Sequence, residues 1–401
     1  MFLSKRVLNT QASPIRKLVP YAEMAKKAGK KVYHLNIGQP DMEPPKAFFE
    51  GIKRYTPNVI YYSHSAGLYE LREAFSMHYK SKGINFDPED LVITTGGSEA
   101  VIFAMACVAD PEDEIMVIEP FYANYRGFAE MLNIRLCPIK ADPRDGYSIP
   151  SWDELEKGYN KKVKAIIFSN PSNPTGTVYS YEELKRIVDF AKEKNIFVIS
   201  DEVYSGIIFD GKKHISIMNF EDQDRFIFLD SISKEYNTCG ARIGVLGTKN
   251  KCFLEEVMKF AQSRLCPPLI EQCGTLGLLY DLDKDYTNKL IIEYQNRRDV
   301  AYNEIKNIEG AIFQKPSGAF YMSIELPIDD SEEFVKWTLT EFDIDGETVM
   351  VAPLTGFYAT PGAGKKEIRI AYVLNSEELK KACNILKEAV YAYNYVYSKE
   401  K

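Results

Sequence analysis

The 401-residue sequence is poor in the residues that build metal sites and disulfide frameworks, with four histidines and seven cysteines. The histidines are scattered, no cysteines form a C-x-x-C pair, and there is no Gly-x-Ser-x-Gly motif. These absences disfavour metalloenzyme and serine-hydrolase classes and indicate reduced thiols in a cytosolic setting.

Long apolar runs are also lacking. No stretch approaches the ~20 residues of a membrane-spanning helix, and the first residues show no secretory pattern. We therefore expect a soluble, cytoplasmic protein without a membrane partner. The net charge of −7 disfavours nucleic acid as a partner, while 45% hydrophobic residues suffice for two domains.

What the sequence does contain is polar side chains placed just after apolar runs of strand length. Residues 165–168 precede Asn170 and Asn173, residues 196–199 precede Asp201 and Tyr204, and residues 226–229 precede Lys234. In an open α/β sheet, ligands bind at the carboxyl ends of the strands. We therefore expect these side chains to converge on one site.

Two residues of this set, together with the nearby Arg242, match the needs of a pyridoxal phosphate enzyme. Lys234 offers an amine for an imine, Asp201 a carboxylate for the ring nitrogen, and Arg242 a guanidinium for the phosphate. Most lysines are only surface charges, so it is the position of Lys234 after a buried strand that favours a chemical role.

A phosphate site is predicted independently at a strand-to-helix turn. Residues 91–95 read as a strand, and the Gly96-Gly97 turn leads into Ser98 at the start of an apolar helix. Free amides at a helix start suit a phosphate, although an ordinary turn would look the same. Ser231 and Ser233 add hydroxyl donors, which strengthens the phosphate reading.

Eight segments in order, covering nearly the whole chain, give the sequence a family resemblance. They are 13–16, 36–41, Tyr62 with 66–72, 94–99, 170–176, 200–204, 231–242 and 368–372. The sequence resembles the class I and II aminotransferases, the pyridoxal phosphate enzymes related to aspartate aminotransferase. The resemblance implies an α/β fold with a mostly parallel, doubly wound sheet in a large cofactor domain, residues 46–280, and a smaller α+β domain from residues 1–45 and 281–401.

The resemblance also implies roles for residues around the cofactor ring. Lys234 would hold the cofactor as an imine and then move the substrate's α-proton, and Asp201 would keep the ring nitrogen protonated; its alternative is a helix cap. Asn173 and Tyr204 would donate to the phenolic oxygen, with the Asn173–Pro174 bond cis. Tyr122 would stack on the ring, although Phe121 or Tyr125 could do so instead.

Further roles concern the phosphate and the substrate. The phosphate ligands would be Gly97, Ser98, Glu99, Ser231, Ser233, Arg242 and, from the neighbouring subunit of a homodimer, Tyr62. Arg369 would clamp the substrate α-carboxylate, since its planar fork fixes both oxygens. Gly38 lies in the loop that would close over that carboxylate.

The sequence departs from the family where dicarboxylate enzymes carry a side-chain arginine. Ala261 stands at that position, and Arg264 is near enough in sequence to take over; a structural or dimer-interface role for Arg264 is an equal alternative. The segment 235–241 also departs from the family's tryptophan-containing run, and we expect it not to touch the chemistry.

These features predict an aminotransferase that passes an amino group from an amino acid, with aspartate favoured, to a 2-oxo acid, with 2-oxoglutarate expected. Aromatic amino acids are the alternative donors. A β-eliminating lyase with the same cofactor is a second alternative. A non-catalytic regulator is a third, disfavoured because such proteins carry an added DNA-binding segment and the family match begins by Ser13.

Overall fold

The computed structural model of the protein describes residues 2–398. Within this range no helix combines the length and the apolar character needed to cross a membrane. The helices of the described chain are α1 Lys5–Asn9, α2 Val19–Lys27, α3 Lys46–Tyr55, α4 Tyr69–Ser81, α5 Gly96–Val108, α6 Asn124–Leu132, α7 Trp152–Gly158, α8 Tyr181–Lys194, α9 Ile232–Glu235, α10 Lys251–Arg264, α11 Leu269–Asp281, α12 Tyr286–Ile305, α13 Ser331–Thr340 and α14 Ser376–Ser398.

The strands of the same range are β1 Lys31–His34, β2 Leu91–Thr94, β3 Glu114–Glu119, β4 Arg135–Lys140, β5 Val163–Ser169, β6 Phe197–Asp201, β7 Phe226–Ser231, β8 Gly244–Gly247, β9 Tyr321–Glu325, β10 Glu347–Met350, β11 Ala352–Pro353 and β12 Glu367–Ala371.

Helix α8 shows how local sequence sets the elements around the sheet. Ser180 caps its start and exchanges hydrogen bonds with Glu183 in a capping box, which satisfies backbone donors that the first turn leaves free. Leu184, Ile187 and the other apolar residues at helical spacing are buried. Asn195 ends the helix in the left-handed conformation. The helix therefore packs one apolar face on the sheet.

The central sheet has seven strands in the order β2-β8-β7-β6-β5-β3-β4. β8 runs antiparallel to both of its neighbours, and the other pairs are parallel. Apolar clusters cover both faces of this sheet. The prediction of a mostly parallel, doubly wound α/β sheet is therefore confirmed.

Register within the sheet aligns the predicted site residues. Asp201, the last residue of β6, pairs with Ser169 on β5 and with Leu229 on β7. Lys234 follows Ser231, where β7 ends. The polar residues predicted after separate strands therefore lie at one edge of the sheet.

Segments from both ends of the chain form a second set of sheets with its own apolar core. β1 pairs in parallel with β10, and β11, β12 and β9 form an antiparallel sheet. One apolar cluster collects residues between 18 and 35 and between 290 and 393, together with Tyr204, Ile207 and Phe209. Domain boundaries at about residues 46 and 280 stay a prediction.

Candidate active site

Lys234 reaches from the edge of the large sheet to a loop near the N-terminus. Its Nζ donates a hydrogen bond to the Gly38 carbonyl at 2.9 Å and lies 3.6 Å from Cys239 Sγ. The short helix α9 directly after β7 gives the lysine this position. The amine is thus held between two parts of the chain at the end of the strand.

Asp201 is a buried carboxylate with few protein donors. The Tyr125 hydroxyl donates to Oδ2 at 2.6 Å, and the Val203 amide donates to Oδ1 at 3.4 Å. Burial raises the pKa of Asp201 to about 6, and the Tyr125 hydrogen bond acts in the opposite direction. Such a group, largely ionised at neutral pH, can pair with a protonated ring nitrogen.

The predicted phosphate donors meet at one end of the site. Gly97 and Ser98 lie in the first turn of α5, whose early amides lack carbonyl partners in the helix. Gly96 has φ +75°, and a side chain there would overlap the Arg242 guanidinium. The Ser231 and Ser233 hydroxyls lie 2.8 Å apart beside this turn. Amides, hydroxyls and a guanidinium form a donor set that fits a phosphate.

Arg369 lies at the opposite end, on β12, and is 1% exposed. It donates to Asn173 Oδ1 at 3.0 Å and to the Asn36 carbonyl at 2.6 Å. Tyr321 and Phe357 place their rings within 4.4 and 5.1 Å of its Cζ. Burial lowers the pKa of Arg369, and its Nε has no hydrogen-bond partner among residues 2–398. A substrate carboxylate would supply that missing partner.

Tyr321 explains why position 38 is glycine. Its hydroxyl lies 2.9 Å from that of Tyr204. A side chain at Gly38 would overlap the Tyr321 hydroxyl, so the close approach of this loop requires glycine.

These groups line one cavity of about 390 Å³. The predicted site residues that line it are Gly38, Gly97, Ser98, Tyr122, Asn173, Asp201, Tyr204, Ser231, Ser233, Lys234, Arg242 and Arg369. Of the three rings considered for stacking, Tyr122 lines the cavity, Phe121 is buried in an apolar cluster, and Tyr125 binds Asp201. A flat ring with an anionic arm fits between the lysine, the carboxylate and the phosphate donors.

Three predicted residues do not line this cavity. Tyr62 is 78% exposed. The Glu99 carboxylate accepts from the Thr95 amide at 2.8 Å and lies 3.2 Å from Arg264 Nε, a charge contact without hydrogen-bond geometry. Arg264 also donates to the Ile93 carbonyl at 3.1 Å. The structure of a single chain thus places Arg264 against an acidic partner and outside the cavity lining.

Other residues at the site were missed or misread from the sequence. The prediction that segment 235–241 does not touch the chemistry is wrong, because Cys239 lines the cavity and its Sγ lies 3.6 Å from Lys234 Nζ. Its position five residues after the lysine is a sequence signal for this contact. The Asn173–Pro174 bond is not cis, since within residues 2–398 the cis bonds are Glu119–Pro120 and Asn170–Pro171. Tyr321 has no local signal, and Asn36 is marked only as the first residue of the 36–41 segment.

Comparisons with known proteins agree with this fold. The family model for aminotransferase class I and II matches residues 30–386. A (5-formylfuran-3-yl)methyl phosphate transaminase of Methanocaldococcus jannaschii is 32% identical over 389 residues, which cover 96% of this chain and 99% of that protein. A probable aspartate aminotransferase of the same organism is 31% identical, with 96% and 99% coverage. The solved structure of an alanine aminotransferase from Pyrococcus furiosus superposes with a TM-score of 0.89 at 30% identity, covering 98% of this chain and 100% of that one.

Proposed function

This chain belongs to the aminotransferase class I and II family, and from that premise we propose that it is a pyridoxal phosphate-dependent amino acid aminotransferase. It takes an amino group from an amino acid, with aspartate favoured, and passes it to a 2-oxo acid, with 2-oxoglutarate favoured. The observation that carries the proposal is the single cavity shared by Lys234, Asp201, Arg369 and the phosphate donors.

Each of these residues has a distinct task. Pyridoxal phosphate, when bound, supplies the electron-withdrawing ring that makes the substrate's Cα–H bond acidic. Asp201 would keep the ring nitrogen protonated, and Tyr125 fixes the orientation of that carboxylate. Lys234 would hold the cofactor through its Nζ, and the same amine, once free, would move the substrate's α-proton.

Arg369 orients the substrate for this proton transfer. Its planar guanidinium binds the α-carboxylate through two oxygens, which sets the direction of the Cα–H bond. Asn36 and Asn173 hold the guanidinium on one side, and the aromatic rings of Tyr321 and Phe357 keep water from it. The side chain of the substrate then extends toward the open part of the cavity.

The preference for aspartate rests on relatives rather than on geometry. Several proteins similar to this chain are named aspartate aminotransferases, and one from Thermococcus litoralis, 28% identical, is named an aromatic amino acid aminotransferase. The tyrosine rings at positions 122, 204 and 321 that line the cavity favour aromatic donors as the second candidate.

A cytoplasmic homodimer with shared active sites is part of the proposal. Tyr62 follows Val59, Ile60 and Tyr61, and all four side chains are more than half exposed. An exposed apolar segment of this kind marks an interaction surface, and a second copy would bring Tyr62 to the neighbouring phosphate site. A monomer in sedimentation equilibrium would contradict this arrangement.

The test of the function pairs a variant with a substrate screen. Lys234→Ala should abolish transamination and the absorption of bound cofactor while the protein still folds, because the lysine is placed for chemistry; Lys251→Ala, at a surface lysine paired with Asp90, is the control. The parent protein should convert aspartate and 2-oxoglutarate to oxaloacetate and glutamate. Release of pyruvate and a free thiol from cystathionine would instead identify a lyase, and retained turnover in Lys234→Ala would refute the assignment.

A further inference from the structure

One cation at the cavity has no task in the proposed function. Arg242, Lys234 and Arg369 are accounted for by the phosphate, the ring and the α-carboxylate, but Arg16 also lines the cavity. Arg16 is exposed, and within residues 2–398 its side chain has neither a hydrogen-bond partner nor an ion pair. A cation facing a binding cavity without a partner is free to bind an anion.

Hydrogen bonds and packing hold the backbone around Arg16 in place, so the starting position of its side chain is fixed. The Arg16 amide donates to the Ser13 carbonyl, and the Arg16 carbonyl accepts from the Val19 amide, both at 3.0 Å, in a turn leading into α2. Pro14 is buried and packs against Gly356. Ile15 packs on the cluster that contains Phe357. The turn therefore cannot move without disturbing contacts next to Arg369.

Asn36 connects this turn directly to the carboxylate clamp. Its carbonyl accepts from Arg369 Nη2 at 2.6 Å, and its side-chain amide donates a long hydrogen bond of 3.5 Å to the Ile15 carbonyl. Arg16 directly follows Ile15 in the chain. The two arginines thus approach the same substrate volume from one connected framework.

We propose that Arg16 is a specificity-determining residue that binds the second anionic group of a substrate, the one carried by its side chain. The inference rests on the proposed function, because the first anion is the α-carboxylate on Arg369. The guanidinium fork suits either a carboxylate or a phosphate ester. Arg16 thereby takes the role that the sequence suggested for Arg264.

Charge pairing separates the two arginines. Arg264 has Glu99 at 3.2 Å and a hydrogen bond to the Ile93 carbonyl, so a substrate anion would have to compete with a carboxylate already present. Arg16 has no such competitor in the part of the chain that the structure describes. An exposed ion pair contributes little to binding, whereas a hydrogen bond to a charged group in a closed site contributes more. Because Arg16 lies between these two cases, we expect its removal to weaken the binding of a second anionic group about tenfold.

The direct test is binding to the holoenzyme, measured by calorimetry with two inhibitors of similar length. Succinate carries two carboxylates and butyrate carries one. Arg16→Gln should weaken succinate about tenfold and butyrate less than about twofold. Lys17→Gln is the matched control because it removes the same charge one residue away, from an ammonium paired with Glu332, and both affinities should stay at the parental value.

Turnover then identifies the source of the anion. The first half-reaction is followed with aspartate, O-phosphoserine and alanine as separate donors, and kcat/KM for each anionic donor is divided by that for alanine. If the aspartate ratio is about tenfold lower in Arg16→Gln than in the parent, the group that Arg16 binds is a carboxylate. If only the O-phosphoserine ratio is lower, the group is a phosphate.

Three results would overturn the inference: unchanged succinate binding in Arg16→Gln, an equal loss in Lys17→Gln, or a loss of succinate binding in Arg264→Gln but not in Arg16→Gln. If the parent binds succinate through Arg16 but transfers no amino group from any donor, the proposed function fails while the anion site stands.

Discussion

Replacing Tyr125 with phenylalanine should weaken cofactor binding through Asp201. The Tyr125 hydroxyl is the nearest donor to the carboxylate, at 2.6 Å, and both side chains are buried. Within residues 2–398 the remaining protein donor, the Val203 amide, lies 3.4 Å from the other oxygen. Tyr125→Phe keeps the ring and its packing but removes the hydrogen bond that favours the ionised form.

The size of the effect follows from the protonation equilibrium. With a pKa of about 6, Asp201 is about nine-tenths ionised at pH 7. A hydrogen bond to a charged group contributes ~1.5–3 kcal/mol, so its loss shifts the protonation equilibrium toward the acid roughly ten- to hundredfold. The ionised fraction at pH 7 then falls to about half or less. If only the anion pairs with the ring nitrogen, the cofactor's Kd rises about two- to tenfold.

The direction with pH is the sharper part of this prediction. Loss of the hydrogen bond favours the protonated acid, so the rise in the cofactor's Kd should be largest at pH 6 and below and should shrink as pH rises toward 9, where Asp201 is ionised in both proteins. The assay is a titration of the cofactor-free protein with pyridoxal phosphate, followed by absorbance at several pH values.

Tyr79→Phe is the matched control. Tyr79 is equally buried and donates at 2.9 Å to Asp230, a carboxylate that does not line the cavity. Tyr79→Phe should lower Tm about as much as Tyr125→Phe does. Its affinity for the cofactor should equal that of the parent protein. Cofactor affinity in Tyr125→Phe that equals the parent's at every pH, or an equal loss in Tyr79→Phe, would refute the reasoning.

Two further predictions concern the substrate loop and the dimer. Gly38→Ala should lower both kcat/KM and Tm, because its methyl group would displace the buried Tyr321 hydroxyl from its contact with Tyr204. Gly127→Ala, with open space at that position, should be neutral. Steady-state kinetics of both variants check this, and equal kinetics would contradict it. Mixing Lys234→Ala chains with Tyr62→Ala chains should restore activity, because a hybrid dimer contains one site with both residues intact, and no recovery after confirmed subunit exchange would argue against a shared site.

The sequence predicted the part of the site that depends on local order. Asp201 and Lys234 each follow an apolar strand by a few residues, and parallel pairing necessarily brings such strand ends together. Gly97 and Ser98 could be predicted as phosphate donors for the same reason, since a strand-to-helix turn exposes amides regardless of the rest of the fold. The sheet and its cofactor-facing residues therefore followed from short patterns.

The substrate side of the cavity depends on packing between distant segments, which no short pattern encodes. Tyr321, Gly38 and Asn36 meet only because the strands at both ends of the chain form one body. The role of Arg264 stays a prediction: nearness in sequence suggests a substrate contact, with a structural or dimer-interface role as the equal alternative, and within one chain its guanidinium lies beside Glu99. To predict the residues that contact the substrate side chain, one must know which side of each segment faces the cavity.

The surroundings of Arg369 show why such packing is needed for function. Burying a guanidinium without a carboxylate is unfavourable, and among residues 2–398 no carboxylate pairs with it. Carbonyl and amide oxygens from Asn36 and Asn173, together with the faces of Tyr321 and Phe357, compensate only in part. A protein carboxylate would complete the compensation but would compete with the substrate for the same fork. The structure instead leaves a desolvated cation whose missing partner is the α-carboxylate, so substrate binding removes a destabilising feature of the free protein and fixes the substrate beside Lys234.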